Sequence, residues 1–364
     1  MHIRAVRTLC FAQPMIPIHE KTFPGKLELV LTIVESDGGL EGYSLARAHG
    51  GQPASVIAHQ VETTLRPLVL GRDSSAPELL WERMTAFEAA GYVSVFAISA
   101  LDVAIWDLAG KLRGLPVVAL CGDRCRAIKA YASSTHYEHI DHYVSDMQAA
   151  LDQGFAAYKV HPFYEARRDI ELARALREAA GPAARLMFDA AKRYNRSDAL
   201  LVGQALQALD FHWYEEPLQQ HDWAGYAQLR AALHIPVIGG ETLPGLHHAI
   251  VNALNANAYA GVLCDVYWKG GITGFLKTIA LCQSAGVPLA SHHGASALMN
   301  LANLHVLCGA TDVDMIEVLY PEAPYRYGLM GYASLSADGR IHVPEEAGLG
   351  GRPDWQYIET HRTT

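Results

Sequence analysis

The chain is expected to fold as an α/β protein, a (β/α)8-type TIM barrel with an α+β capping domain built from the N-terminus and the C-terminal tail. Three observations predict this. Short apolar strands alternate with amphipathic helices from about residue 128 onward. Charged residues recur at the strand ends at near-constant spacing, and residues 1–125 lack that rhythm.

The candidate strands are KAYASST (129–135), AYKVHP (157–162), ARLMFDA (184–190), FHWYEEP (211–217), PVIGGET (236–242), AGVLCDVY (260–267), VPLASHH (287–293) and DMIEVL (314–319). Between them lie stretches such as DIELARALREAA, ALLVGQALQALD, FLKTIALCQSAG and SALMNLANLHVL. Each has the apolar spacing of a helix that covers a sheet. Eight strand–helix alternations in roughly 200 residues fit a barrel at the short end of its usual size. The runner-up, a doubly wound open sheet, would carry GxGxxG after its first strand, and none is present. Residues 1–125 instead offer two β-like stretches, IRAVRTLCF and KLELVLTIVES, joined by the Pro-rich AQPMIPIHEKTFPG. SDGGLEGY reads as a hairpin turn, and helical stretches follow it. The expected division is a cap at 1–125, a barrel at 126–320, and a tail at 321–364 that returns to the cap.

Half of the 364 residues are hydrophobic and 18% are charged, so a large core is affordable. A net charge of −9 without a Lys/Arg run argues against nucleic acid or an anionic membrane as partner. No apolar run is long enough to span a bilayer, and MHIRAVRTLCFAQPM lacks the features of a signal peptide. Six cysteines form no CxxC pair and read as reduced core residues of a cytoplasmic protein. The 18 histidines include no HExxH motif.

The strand ends carry the chemistry. Asp189, Glu215, Glu241, Asp265, His292 and Glu317 are separated by 26, 26, 24, 27 and 25 residues, one βα unit each time. In a barrel that register puts one charged side chain per strand at the C-terminal rim, where barrel enzymes hold their active sites. Asp189, Glu215 and Glu241 on consecutive strands would repel one another without a cation. Oxygen-only ligation suits Mg²⁺, with Mn²⁺ as an alternative, better than Zn²⁺. Lys159 and His161 stand two apart in GFAAYKVHP and so share one face, a strand before Asp189. His292, a strand after Asp265, forms a candidate His–Asp dyad. A metal flanked by these two faces suits removal of a proton from the carbon beside a carboxylate, through a stabilised enediolate. His161 is open between base, substrate hydrogen-bonder and supporting residue.

On these residues the chain resembles the enolase superfamily, in its mandelate racemase subgroup (the mandelate racemase/muconate lactonizing enzyme family). SALDVAIWDLAGKLRGLPV (99–117) is similar to the helix that joins cap to barrel there, with Asp102, Trp106, Asp107, Gly110, Lys111, Gly114 and Pro116 in place. YKVH resembles that family's Lys-x-Lys strand, FDAA its Asp-x-Asn strand, and YEEP and GGET its second and third ligand strands. DVYWKGGITG, SHH and IE resemble its dyad strands and eighth-strand acid. The resemblance implies Asp189, Glu215 and Glu241 as Mg²⁺ ligands and His292 as a base paired with Asp265. It also implies Lys159 as an electrostatic stabiliser and Glu317 as a hydrogen-bonding acid beside the substrate carboxylate. Three positions depart from the pattern. His161 replaces the second lysine, Ala191 the usual asparagine, and Trp268 a common lysine, with Lys269 one position later.

Substrate choice should come from loops over the barrel mouth. AQPMIPIHEKTF offers His19, Glu20 and Lys21; LARAHGGQ offers Arg47, His49 and Gln52; the first strand end adds Ser134, Thr135, His136 and Tyr137. Such polar groups suit a hydroxylated acid. The leading expectation is a lyase that dehydrates a sugar acid to a 2-keto-3-deoxy acid. Alternatives are a racemase or epimerase of a 2-hydroxy acid, a cycloisomerase of a sugar lactone, and a non-catalytic binding barrel. The resemblance further implies a homo-oligomer, dimer or octamer.

Overall fold

In the computed structural model, which describes residues 1–16, 18, 25–48, 51–88, 92–243, 245–294 and 296–363, the chain begins with three antiparallel strands. They are β1 (Ile3–Pro14), β2 (Lys26–Ser36) and β3 (Glu41–Arg47), in that spatial order. β2 is apolar along most of its length because it is the central strand and is buried on both faces. Helices α1 (Ser55–Gln60), α2 (Arg66–Val69), α3 (Pro77–Glu88), α4 (Val95–Arg113) and α5 (Val117–Cys121) follow, with a π-helical turn at Val61–Leu65.

Helix α4 joins cap to barrel. Ser94 caps its start by accepting from Ala97 N (3.3 Å), and Gly114 ends it at φ 65°, a left-handed conformation natural to glycine. Its middle is apolar on every side and is buried throughout from Ala97 to Gly110. The buried Asp102 accepts from Thr273 N (3.0 Å) and Thr273 Oγ1 (2.8 Å), and Trp106 Nε1 donates to the same hydroxyl (2.8 Å). Asp107 accepts from Tyr43 N and Leu349 N, both at 2.8 Å. The approach at Asp102 is so close that a Cβ on Gly271 would sit 2.2 Å from its carboxylate.

The barrel runs β4 (Ala127–Ser133), α6 (Ile140–Asp152), β5 (Ala157–Val160), α7 (Ala166–Ala180), β6 (Leu186–Asp189), α8 (Arg196–Ala208), β7 (Trp213–Glu215) and α9 (Trp223–Ala232). It continues through β8 (Val237–Gly239), α10 (Ala249–Asn255), β9 (Gly261–Cys264), α11 (Gly271–Ala285), β10 (Leu289–Ser291), α12 (Ala297–Ala310) and β11 (Met315–Leu319). The eight strands are parallel in the order β10-β9-β8-β7-β6-β5-β4-β11. The structure corrects the expected eighth strand–helix alternation. After β11 no α-helix covers the strand, because PEAPYRYGL, with Pro321, Pro324 and Gly328, cannot sustain one. The chain proceeds instead through β12 (Leu329–Met330), β13 (Arg340–His342), β14 (Arg352–Pro353) and α13 (Trp355–Thr360). β13 adds antiparallel to β4, and the last residues bond to β1 through Ala12 N to His361 O (3.0 Å) and Thr363 N to Cys10 O (2.9 Å). Among the described residues no helix is long and apolar enough to cross a membrane, and all six cysteines are free thiols.

Among the described residues, β10 and β11 share no main-chain ladder. Side chains close this seam: Glu317 N reaches Ser291 Oγ (3.4 Å), Tyr131 OH donates to Ser291 O (2.5 Å), and Asn300 Nδ2 donates to Glu317 O (2.9 Å).

Within the barrel, one residue per strand forms a buried apolar cluster: Tyr131, Ala157, Met187, Trp213, Ile238, Leu263, Ala290 and Met315. Two positions further along the same strands, hence again facing inward, stand Ser133, Lys159, Asp189, Glu215, Gly240, Asp265, His292 and Glu317. An apolar layer therefore lies directly beneath a charged one.

Candidate active site

The charged layer is the floor of a cavity of about 750 Å³ at the C-terminal ends of the strands. Its lining includes Lys159, His161, Asp189, Lys192, Glu241, His292, His293 and Glu317 from the barrel, and Arg47 from the cap. Strand register brings these together: Asp189 and Glu215 are direct partners on β6 and β7, and Glu241 follows β8 by two residues.

Lys159 organises one side. Its Nζ lies 2.8 Å from Glu215 Oε1, 2.8 Å from Glu317 Oε1 and 3.7 Å from Asp189 Oδ2. Burial opposes the ammonium charge, but Glu215 and Glu317 overcome it and hold Lys159 well above its ordinary value. Burial and the adjacent Asp189 push Glu215 well above the usual carboxylate range, more than Lys159 offsets. Glu317 is held down at about 2, since Lys159 and His292 outweigh its burial. Its other oxygen accepts from His293 N (2.6 Å), and the second oxygen of Glu215 accepts from Trp213 Nε1 (3.0 Å).

His161 has both ring nitrogens engaged. Nδ1 is 2.8 Å from Ser134 O, which can only accept, so this nitrogen carries a proton; Nε2 is 3.0 Å from Asp189 Oδ2. The main-chain N–H of His161 also donates to Ser134 Oγ (3.0 Å). Across the floor, His292 Nδ1 bonds the buried Asp265 Oδ2, while its Nε2 lies 3.3 Å from Glu241 Oε1. Burial alone would lower His292, but Glu241 and Asp265 lift it to about 9. Asp265 Oδ1 is fixed by Trp268 N (2.6 Å).

Of the residues expected at the mouth, Arg47, His136 and Tyr137 line the cavity, whereas Gln52 is exposed outside it. Ser134 is turned to His161, and the Thr135 hydroxyl is buried away from it. His19, Glu20, Lys21 and His49 lie outside the described residues. Sequence reasoning missed Lys192, whose Nζ donates to Glu216 Oε2 (2.7 Å) and lies 3.3 Å from Thr242 Oγ1. It also missed the buried Lys269 as an anchor of the ligand loop, donating to the carbonyls of Glu241 (3.0 Å) and Leu243 (3.4 Å). Lys192 sits three residues past Asp189 in a loop where no spacing rule applies.

Among the described residues, no three His, Cys, Asp or Glu side chains converge closely enough to hold an ion as they stand. Lys159, His161 and His292 each lie against one oxygen of Glu215, Asp189 and Glu241 in turn. The donor chemistry nevertheless fits a hard divalent cation. Asp189, Glu215 and Glu241 come from adjacent strands with no thiolate among them, and burial together with Asp189 pushes Glu215 up, a cost that a cation would relieve.

A capped barrel with this floor defines a class of enzyme, and the sequence places the chain within it. The chain belongs to the mandelate racemase/muconate lactonizing enzyme family of the enolase superfamily. Residues 5–122 match the mandelate racemase/muconate lactonizing enzyme N-terminal domain, and residues 142–357 the enolase C-terminal domain-like family. The chain is 29% identical over 336 residues to arabinonate dehydratase of Saccharolobus solfataricus, covering 89% of this chain and 88% of that one. It is 28% identical over 337 residues to D-galactarolactone cycloisomerase of Agrobacterium fabrum, covering 88% of each. D-glucarate dehydratase from Agrobacterium tumefaciens, solved in complex with magnesium, superposes with a TM-score of 0.88 at 28% identity over 100% of both chains.

Proposed function

We propose that this chain removes the α-proton of a carboxylate substrate and dehydrates a sugar acid to a 2-keto-3-deoxy acid. One observation carries the reading: a buried lysine ammonium and a His–Asp dyad face each other across a floor of carboxylates. The dehydratases and the cycloisomerase among its relatives support it.

Asp189, Glu215 and Glu241 would hold a Mg²⁺ ion, which when bound supplies positive charge to a substrate carboxylate as it takes on further negative charge. Lys159 stays protonated and presents its ammonium to that carboxylate, so it acts as a stabiliser and not as a base. His292, oriented by Asp265 through Nδ1, would take the proton from C2 at Nε2 in its neutral form, which a cation on Glu241 would favour by cancelling the carboxylate charge that now lifts it. The same imidazolium then returns a proton to the hydroxyl leaving C3. Water departs, and the enol left behind ketonises. His161 positions Asp189. Glu317 fixes Lys159 beside the substrate carboxylate, and Arg47 and His136 contact the rest of the substrate. We assign residues 1–125 and 321–364 to a lid over the barrel at 126–320, in a cytoplasmic homo-oligomer.

Opening of a sugar lactone uses the same single base and is the second reading. Racemisation needs a base on each face; opposite His292 stand Lys159, held protonated by Glu215 and Glu317, and His161, whose Nε2 faces Asp189. The test is a panel of acid sugars and lactones with Mg²⁺, assayed for 2-keto acids and, in D₂O, for exchange at C2. A 2-keto product is expected. Exchange without loss of water would replace dehydration with racemisation, and silence across the panel would overturn the reading.

A further inference from the structure

The buried and half-buried cations around the cavity are accounted for, with one exception. Lys159 is paired with Glu215 and Glu317, Lys192 with Glu216, and Lys269 with two carbonyls. Arg47, the last residue of β3, is 7% exposed and lines the cavity, yet its Nε finds no acceptor and no carboxylate pairs with it among the described residues. Its place is fixed by its backbone. Tyr267 OH donates to Arg47 O (2.5 Å), and Ser296 Oγ donates to Leu45 O two residues earlier. Beside it His293, 5% exposed and lining the same cavity, has an Nδ1 without a partner. Burial, with the His292 and Arg47 charges adding to it against the pull of Glu317, pushes this imidazole down to about 3, so it is neutral. A buried guanidinium without a counter-charge is costly, and its planar fork matches a carboxylate.

We propose that Arg47, with His293 beside it, receives a second carboxylate, so that the substrate is a sugar diacid bridging Lys159 on the barrel floor and Arg47 on the cap. This rests on the reading of the site as acting on a sugar acid.

The test compares five- and six-carbon sugar diacids with their matched monoacids, D-glucarate with D-gluconate and galactarate with D-galactonate among them. Two quantities are read with Mg²⁺ present: kcat/KM, and the rise in Tm on adding ligand. At least one diacid should exceed its monoacid by about 100-fold or more in kcat/KM and raise Tm further. Arg47→Met should collapse that preference, mainly through KM, and Arg47→Lys should restore part of it. The Tm of ligand-free Arg47→Met should match or exceed wild type, because the removed charge has no carboxylate partner among the described residues. Equal use of monoacids, an unchanged preference in Arg47→Met, a lowered ligand-free Tm, or no response to any diacid would each overturn the proposal. Turnover of monoacids alone sinks it and leaves the dehydratase reading standing. Diacid binding without turnover does the reverse.

Discussion

The two layers inside the barrel share strands, backbone geometry and burial, yet one is apolar and the other charged. A step of two residues along each strand is all that separates Met187 from Asp189, Trp213 from Glu215 and Met315 from Glu317. The lower layer seals the cylinder and supplies the burial that stabilises it. The upper layer sits on that seal, in a medium where the attraction between Lys159 and its carboxylates is strong and an unpaired charge is expensive. On the proposed mechanism the contrast becomes a division of labour: the lower layer sets stability, and the upper layer sets rate.

Single substitutions can break that division. The largest expected effect is in the upper layer: His292→Asn should lower kcat by about 10³-fold or more while Tm moves by no more than about 2 °C. A near-normal rate would remove the dyad from the chemistry. Lys159→Met should lower kcat by about 10²–10³-fold. Because it strands Glu215 and Glu317, it should also cost about 3–5 kcal/mol in urea unfolding with chelator present. Unchanged stability would mean that Lys159 does not organise the floor. Trp213→Phe tests a lower-layer side chain that reaches the upper layer, since its indole holds Glu215. Loss of that hydrogen bond should lower kcat/KM by about tenfold. Least affected in turnover should be Met187→Ala, within about threefold, although the cavity it leaves should cost about 2–5 kcal/mol of stability. A rate loss matching that of His292→Asn would show that the layers are not separable.

Much of this was readable from the chain alone, for a physical reason. The interval of about 25 residues between Asp189, Glu215, Glu241, Asp265, His292 and Glu317 belongs to the sequence itself, and a parallel barrel turns that interval directly into proximity. What escaped was the choice of partner for the lysines and for the hydroxyls at the strand ends. That Lys159 pairs with an oxygen of Glu215 depends on side-chain reach, as does the pairing of Lys192 with Glu216. Ser134 and Thr135 sit at a strand end as expected, but the Ser134 hydroxyl is consumed by the His161 amide. The missing eighth helix was signalled by Pro321, Pro324 and Gly328, and the regularity of the preceding units hid it. The His–Asp dyad formed as the spacing implied, because consecutive strands put residues 265 and 292 side by side.

The seam between β10 and β11 has a mechanical consequence. A cylinder joined by main-chain ladders at seven junctions and by side chains at the eighth is a cuff with a clasp. The clasp separates the strand bearing His292 from the strand bearing Glu317. The gap between the His292 imidazole and the acid that steadies Lys159 is thus crossed by the Ser291 hydroxyl and flanked by Tyr131 and Asn300, where every other junction rests on a strand pair.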